Sequence, residues 1–139
     1  MKLSIYLNFN GNSKEVIEFY KMVFDAAEPY VMLYGDMPGK ENYPMSAETE
    51  KLVMHSSLYV GELGLMISDV TPDRSVTFGS NVTLTVDCDS VEEAKLRWER
   101  IKPGGNVQME LGETFFADCY GQLVDKFGIQ WQILHERPN

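Results

Sequence analysis

The apolar positions of this chain repeat with two periods, and the switches between them mark out the elements. Over residues 3–10, Leu3, Ile5, Leu7 and Phe9 alternate with Ser4, Tyr6, Asn8 and Asn10, which predicts a strand with one polar face. Asn10-Gly11-Asn12 ends it. A helix follows from about Ser13, where Val16, Phe19, Tyr20, Val23 and Phe24 recur at helical spacing and give one buried stripe. Asn12 and Glu15 are spaced as a capping box with Asn in place of Ser or Thr. Residues 29–35 (PYVMLYG) predict a second strand. Residues 35–50 are rich in Gly, Pro and charge, have no period of their own, and are expected to form a long mobile loop. Residues 52–60 and 63–69 predict a hairpin about Gly61-Glu62, with His55, Ser57 and Tyr59 on one face and Met54, Leu58 and Val60 on the other. Residues 71–75 are a connector.

The pattern then restarts. Residues 81–88 predict a strand with Val82, Leu84, Val86 and Cys88 on one face and Asn81, Thr83, Thr85 and Asp87 on the other. Asp89 or Ser90 caps a helix, Ser90 to Glu93 fit a capping box, and the apolar stripe is Val91, Ala94, Trp98 and Ile101. Pro103-Gly104-Gly105 stops it before a strand over 107–111. The tail closes with a hairpin of strands over 116–124 and 129–135, reversed at Asp125-Lys126-Phe127-Gly128 with Gly128 free to take a positive φ. Ile129, Trp131 and Ile133 face a core; Gln130 and Gln132 face away. The order β-α-β-β-β therefore occurs twice, over 1–70 and 76–139. Tyr20 falls against Trp98, Ala26-Ala27 against Gly104-Gly105, Gly64 against Gly128 and Ser68 against Gln132. The expected class is α+β, an internal duplication within one domain over 1–139.

Two βαβββ units in one short chain resemble the vicinal oxygen chelate superfamily of glyoxalase I, bleomycin and fosfomycin resistance proteins and extradiol dioxygenases. Within it, YLNFNGN followed by EVIEFYKMVF, then VMHSSLYVGELGLMISD, then GNVQMELGETFFADCYGQLVDKFGIQWQI are similar to the PhnB-like branch. The resemblance covers nearly all of the chain outside residues 35–50. It implies half-barrels with outer helices enclosing a cavity, and a homodimer. Metal-dependent members place His or Glu at four cavity positions, which map here onto Tyr6 (or Ile5 on a helix-based alignment), Ser68, Thr83 and Gln132. Divalent ions need imidazole or carboxylate ligands, and hydroxyls with a neutral amide bind them poorly, so no metal and no cofactor are expected at these positions.

Composition narrows the function classes. The 139 residues hold 12 Lys+Arg against 21 Asp+Glu, a net charge of −9, which argues against nucleic acid and anionic membranes. Hydrophobic residues at 44% suffice for a packed core, and no apolar run approaches a membrane span or a signal peptide. Cys88 and Cys119 have no metal spacing and are expected to be reduced, structural thiols of a cytoplasmic protein. Gly104-Gly105 follows a helix instead of opening one, which argues against the usual dinucleotide or S-adenosylmethionine loop and against a methyltransferase.

Three functions follow. The first is a binder of a small polar molecule, lined by Tyr6, Asn8, Ser57, Tyr59, Ser68, Thr83, Gln130, Gln132 and Phe116. The second is a lyase, isomerase or dioxygenase with a divalent metal at displaced ligands such as His55 and Glu113. The third is a structural dimeric module whose cavity is filled by side chains. His55 is the catalytic candidate because imidazole exchanges protons near neutrality, although a strand histidine held by a neighbouring group is the plainer alternative. Glu113 and Thr114 open the ETFF segment, where Glu113 is either a cavity carboxylate or part of a turn. Cys119 shows no base within sequence reach, but its repeat position is expected to match that of His55. His135 is expected to be exposed. Phe9, Phe19, Tyr20, Phe24, Trp98 and Trp131 are assigned to the core, and Phe115, Phe116, Tyr59 and Tyr43 are free to line or cover a cavity.

Overall fold

The computed structural model describes residues 1–138 and divides the chain into two compact units, Met1–Thr77 and Phe78–Asn139. The first contains β1 (Ile5–Phe9), α1 (Ser13–Phe24), β2 (Tyr30–Leu33), a short helix α2 (Ala47–Glu50), β3 (Val53–Val60) and β4 (Leu63–Asp69). The second contains β5 (Leu84–Asp87), α3 (Val91–Ile101), β6 (Asn106–Gly112), β7 (Ala117–Val124) and β8 (Gln130–Glu136). Each forms a four-stranded mixed sheet, ordered β1-β4-β3-β2 and β5-β8-β7-β6, in which the first strand runs parallel to the last. The expected α+β architecture with a repeated βαβββ order is therefore present.

Helix α1 packs on β3 and β4 with the predicted stripe, and Val16, Phe19, Tyr20, Val23 and Phe24 are all buried against Leu58, Leu65 and Ile67. Helix α3 packs on β7 and β8 through Ala94, Trp98 and Ile101. Trp98 lies directly on the backbone of Gly121, where an added Cβ would sit 2.7 Å from its ring. Burial of these faces is the main favourable term in each unit.

The two helix starts are capped differently. Ser90 Oγ accepts from Glu93 N at 3.0 Å, as the capping box requires, while the Glu93 carboxylate accepts from the N–H of Asp89, one residue earlier than expected. Asn12 makes no side-chain cap at all. Its place is taken by Asp69, 56 residues beyond Ser13, whose Oδ1 accepts from Gly11 N and Ser13 N at 3.0 and 2.9 Å. The same carboxylate accepts from Val53 N through Oδ2 at 2.9 Å. A charged acceptor reaching in from the last strand outcompetes the short Asn amide.

Other expectations are corrected at element ends. The strand expected over 81–88 is ladder-paired only over Leu84–Asp87, and Val82 is exposed. Residues 29–35 are strand only over Tyr30–Leu33, after which Tyr34 starts a 3-10 turn. Residues 35–50 hold a second 3-10 turn and α2, which Ser46 caps by accepting from Thr49 N. Tyr34 ties the start of this segment to the first sheet by donating its hydroxyl to Asp69 O at 2.8 Å. Among the described residues no helix is long and apolar enough to cross a membrane.

Candidate functional site

Alternation leaves each sheet with one face under its helix and one face free of it. In the first unit the second face carries Tyr6, Asn8, Met32, His55, Ser57, Tyr59, Met66 and Ser68, in agreement with the predicted polar alternation. The strand register arranges these residues in rows. Asn8 pairs with Ser68, and continuing the β3–β4 register places His55 opposite Ser68, with Met32 on its other side. In the second unit the matching row is Thr85–Gln132–Gln122–Met109. His55 therefore corresponds to Gln122, and the expected match with Cys119 is corrected by the register. Cys119 lies on the other face of β7, among the buried residues Ala117, Gly121 and Leu123 that meet α3.

The four positions suggested by the resemblance separate in the same way. Ser68 and Gln132 pair laterally with Asn8 and Thr85, two residues beyond Tyr6 and Thr83. The Ser68 hydroxyl donates to Asn8 Oδ1 at 3.4 Å, and the Thr85 hydroxyl donates to Gln132 Oε1 at 3.0 Å. Each row thus pairs one hydroxyl with one amide oxygen. Thr83 lies before β5 and is half-buried. Thr85, Gln122 and Tyr30 were not singled out from the sequence, although Thr85 stood on the predicted polar face and only the register shows that it meets Gln132.

Tyr6 Oη and His55 Nδ1 lie 3.2 Å apart, with ring centroids at 5.8 Å, and the Tyr30 ring sits 6.4 Å from that of His55. Tyr59 is exposed beside Gly64, where a Cβ would be 3.5 Å from its ring. Gln130 is withdrawn from the open face: it is buried, and its amide donates to Gly79 O and Val82 O, tying down the segment before β5.

Glu113 is held elsewhere. Its carboxylate accepts from Arg137 at 2.9 Å, and the same guanidinium donates to Asp118 Oδ1, Thr114 O and Ala117 O. Thr114 Oγ1 accepts from the N–H of Ala117, completing a tight turn that presents Phe115 and Phe116. Phe116 stacks edge-on with Phe115 and with Tyr120, each pair at 5.1 Å. His135, expected to be exposed, is half-buried, and its Nδ1–H donates to Cys88 O at 2.8 Å.

Cys88 and Cys119 are free and buried. They flank His135 from the strands on either side of β8. That puts them two strand spacings apart, roughly 10 Å, beyond the reach of a disulfide. Burial, the largest cause, pushes the Cys88 thiol from 9.0 up to about 12, and burial also raises Cys119. Thiol alkylation at mildly alkaline pH is therefore expected to modify both cysteines only after unfolding, as intact-mass measurement would show; rapid labelling of the native protein would contradict it. An unfolded chain releases the Cys88 proton near 9.0 and the folded chain only near about 12. Its contribution to stability is present below pH 9 and is lost as pH rises between these values.

Among the described residues neither a metal nor a methyl donor finds a matching set of groups. Among the described residues no three His, Cys, Asp or Glu side chains gather as a metal set, and the paired rows offer hydroxyls, amides and a single imidazole. A methyl donor such as S-adenosylmethionine would need a glycine cradle at a helix start. Gly105 serves backbone packing instead, since a Cβ there would meet Val124 O at 2.5 Å.

The fold of two tandem βαβββ units recurs among solved structures. A glyoxylase/bleomycin resistance protein/dioxygenase domain from Frankia shares the fold, with a TM-score of 0.68 over 99% of this chain and 98% of its own at 12% identity. The chain belongs to the PhnB-like family described as 3-demethylubiquinone-9 3-methyltransferase, whose model matches residues 1–134. It is 32% identical to protein YjdN of Escherichia coli over 96% of this chain and 94% of that one. Protein PA1353 of Pseudomonas aeruginosa has the same fold with a TM-score of 0.84 at 32% identity, covering 99% of both chains. A PhnB protein from Bacillus cereus follows at 26% identity and a TM-score of 0.75, covering 97% of this chain and 99% of its own.

Proposed function

We propose that this PhnB-like protein binds a small polar molecule on the open sheet faces without a resident metal, acting in the cytoplasm as a homodimer. The observation that carries this reading is the pair of rows Asn8–Ser68–His55 and Thr85–Gln132–Gln122, in which Ser68 and Gln132, two of the four positions where a chelating member would need ligands, are a hydroxyl and an amide paired with a neighbouring side chain. Neutral hydroxyls and amides orient a ligand by hydrogen bonds at little desolvation cost, but supply no strong Lewis acid site. A substrate, if transformed, meets His55 as the one titratable base in these rows. Phe115 and Phe116, exposed on the turn before β7, are the adjustable parts.

The test combines metal titration with ligand screening by thermal shift. Nickel, zinc, manganese and iron(II) are expected to give no stoichiometric binding, whereas polar ligands should raise the melting temperature. Stoichiometric metal lost on His55→Ala or Glu113→Gln would replace this reading with the metal-dependent lyase, isomerase or dioxygenase.

The family's description favours a second reading, methyl transfer to a quinone-like ring. Saturable binding of S-adenosylmethionine by calorimetry would support it, and no binding heat would remove it.

A further inference from the structure

Resting on that reading, we infer that the first unit carries the recognition centre, on Tyr6 and His55, and that its ligand is a flat aromatic molecule with an oxygen acceptor at its edge. The Tyr6–His55 contact at 3.2 Å has one preferred direction. A phenolic O–H is a strong donor and a poor acceptor, whereas an imidazole nitrogen is a good acceptor. Tyr6 therefore donates to Nδ1, and the neutral ring keeps its proton on Nε2 as a donor toward the ligand side. Tyr30 lies 6.4 Å from the imidazole on its other flank, and Tyr6, Tyr30 and Tyr59 are 43%, 60% and 60% exposed. Two half-open phenol rings flank one imidazole, and Tyr59 lies farther along the same strand beside Gly64, which makes a stacking surface edged by hydroxyls.

The same face carries no Asp, Glu, Lys or Arg, although 24% of the chain is charged. These strand positions offer a cation no carboxylate and an anion no guanidinium or ammonium. With the Tyr6 hydroxyl donated to Nδ1, the donors left for a ligand are His55 Nε2–H and the hydroxyls of Tyr30, Tyr59 and Ser57. A carbonyl-type oxygen on an aromatic ring meets both demands. The second unit does not repeat the arrangement. Its register puts Thr83 at the position of Tyr6, Gln122 at that of His55, Val124 at that of Ser57 and Asn106 at that of Tyr30. Duplication kept the strands, and the aromatic–imidazole group belongs to one copy.

Nitrogen-15 NMR of the histidine rings, recorded with and without three neutral or cationic probes, tests this. Benzamide carries both features, cyclohexanecarboxamide lacks the aromatic ring, and benzylamine replaces the acceptor by a cation. The free protein should show His55 with its proton on Nε2, and Tyr6→Phe should shift that tautomer balance while leaving the backbone spectrum folded. Benzamide should shift His55 and the neighbouring tyrosine resonances saturably, more strongly than either control. His55→Ala should weaken benzamide by about tenfold, the loss of about one good hydrogen bond. Equal binding of cyclohexanecarboxamide, or unchanged benzamide affinity in His55→Ala, overturns the inference. Probe shifts confined to Thr85, Gln122 and Gln132 overturn it too, while leaving the small-molecule reading intact. Absence of shifts in both units removes both.

Discussion

Asp69→Ala is expected to lower the unfolding free energy by about 3–5 kcal/mol, because orphaned buried donors cost about 1–3 kcal/mol each. One carboxylate, 2% exposed, serves Gly11 N, Ser13 N and Val53 N, so its loss removes an acceptor from the start of α1 and from the start of β3 together. The β1–α1 junction and the first residue of β3 would lose their common tie at the end of β4. Asp69→Asn keeps one acceptor oxygen but turns an NH2 toward a backbone N–H, so it should fall between wild type and alanine. Ser13→Ala, beside it, should be close to neutral, since Ser13 Oγ is buried without a hydrogen-bond partner. Urea unfolding of the three variants decides the matter. An Asp69→Ala cost no larger than that of Ser13→Ala would show that water or Asn12 takes over the three donors.

Gly121→Ala is expected to destabilise by about 1–3 kcal/mol through overpacking. The new methyl would lie 2.7 and 2.8 Å from two ring atoms of Trp98 and 3.0 Å from Leu111 Cα. Trp98 is 2% exposed and has no open direction in which to swing. The helix α3 must therefore lift from β7 or the strand must shift. Trp98→Leu costs stability alone by leaving a void, but should recover part of the Gly121→Ala penalty in the double variant. Thermal unfolding of the four proteins measures that coupling. Strictly additive penalties would mean that the ring and the glycine do not restrain each other.

The elements and their faces were legible in the sequence because each is set by local periodicity. The stripe of α1, the β3–β4 hairpin at Gly61 and the β7–β8 hairpin at Gly128 all formed where alternation and turn residues put them, with Gly61 and Gly128 at φ 60 and 91°. The duplication was legible for the same reason, since two copies of one period pattern need no knowledge of contacts. The α2 turn was not, because a four-residue helix inside a charged, Gly- and Pro-containing segment leaves too few residues to show a period.

What lies between distant segments was decided only by the tertiary structure. The sequence offered Asn12 as the cap of α1, but the Asp69 carboxylate, 56 residues beyond Ser13, is stronger and is delivered by strand pairing. It placed Gln130 and Gln132 on one face, yet Gln130 is consumed by two carbonyls of its own unit while Gln132 remains paired with Thr85 on the open side. It made Glu113 a candidate carboxylate, and Arg137, 24 residues later, binds it in an ion pair. Periodicity determines which way a side chain points; register determines which partner it meets, and register is set by whole sheets. The composition of the polar faces therefore came from the sequence. Their chemistry, with Tyr6 on His55 in one unit and Thr85 on Gln132 in the other, came from how β1 and β5 align with the strands beside them.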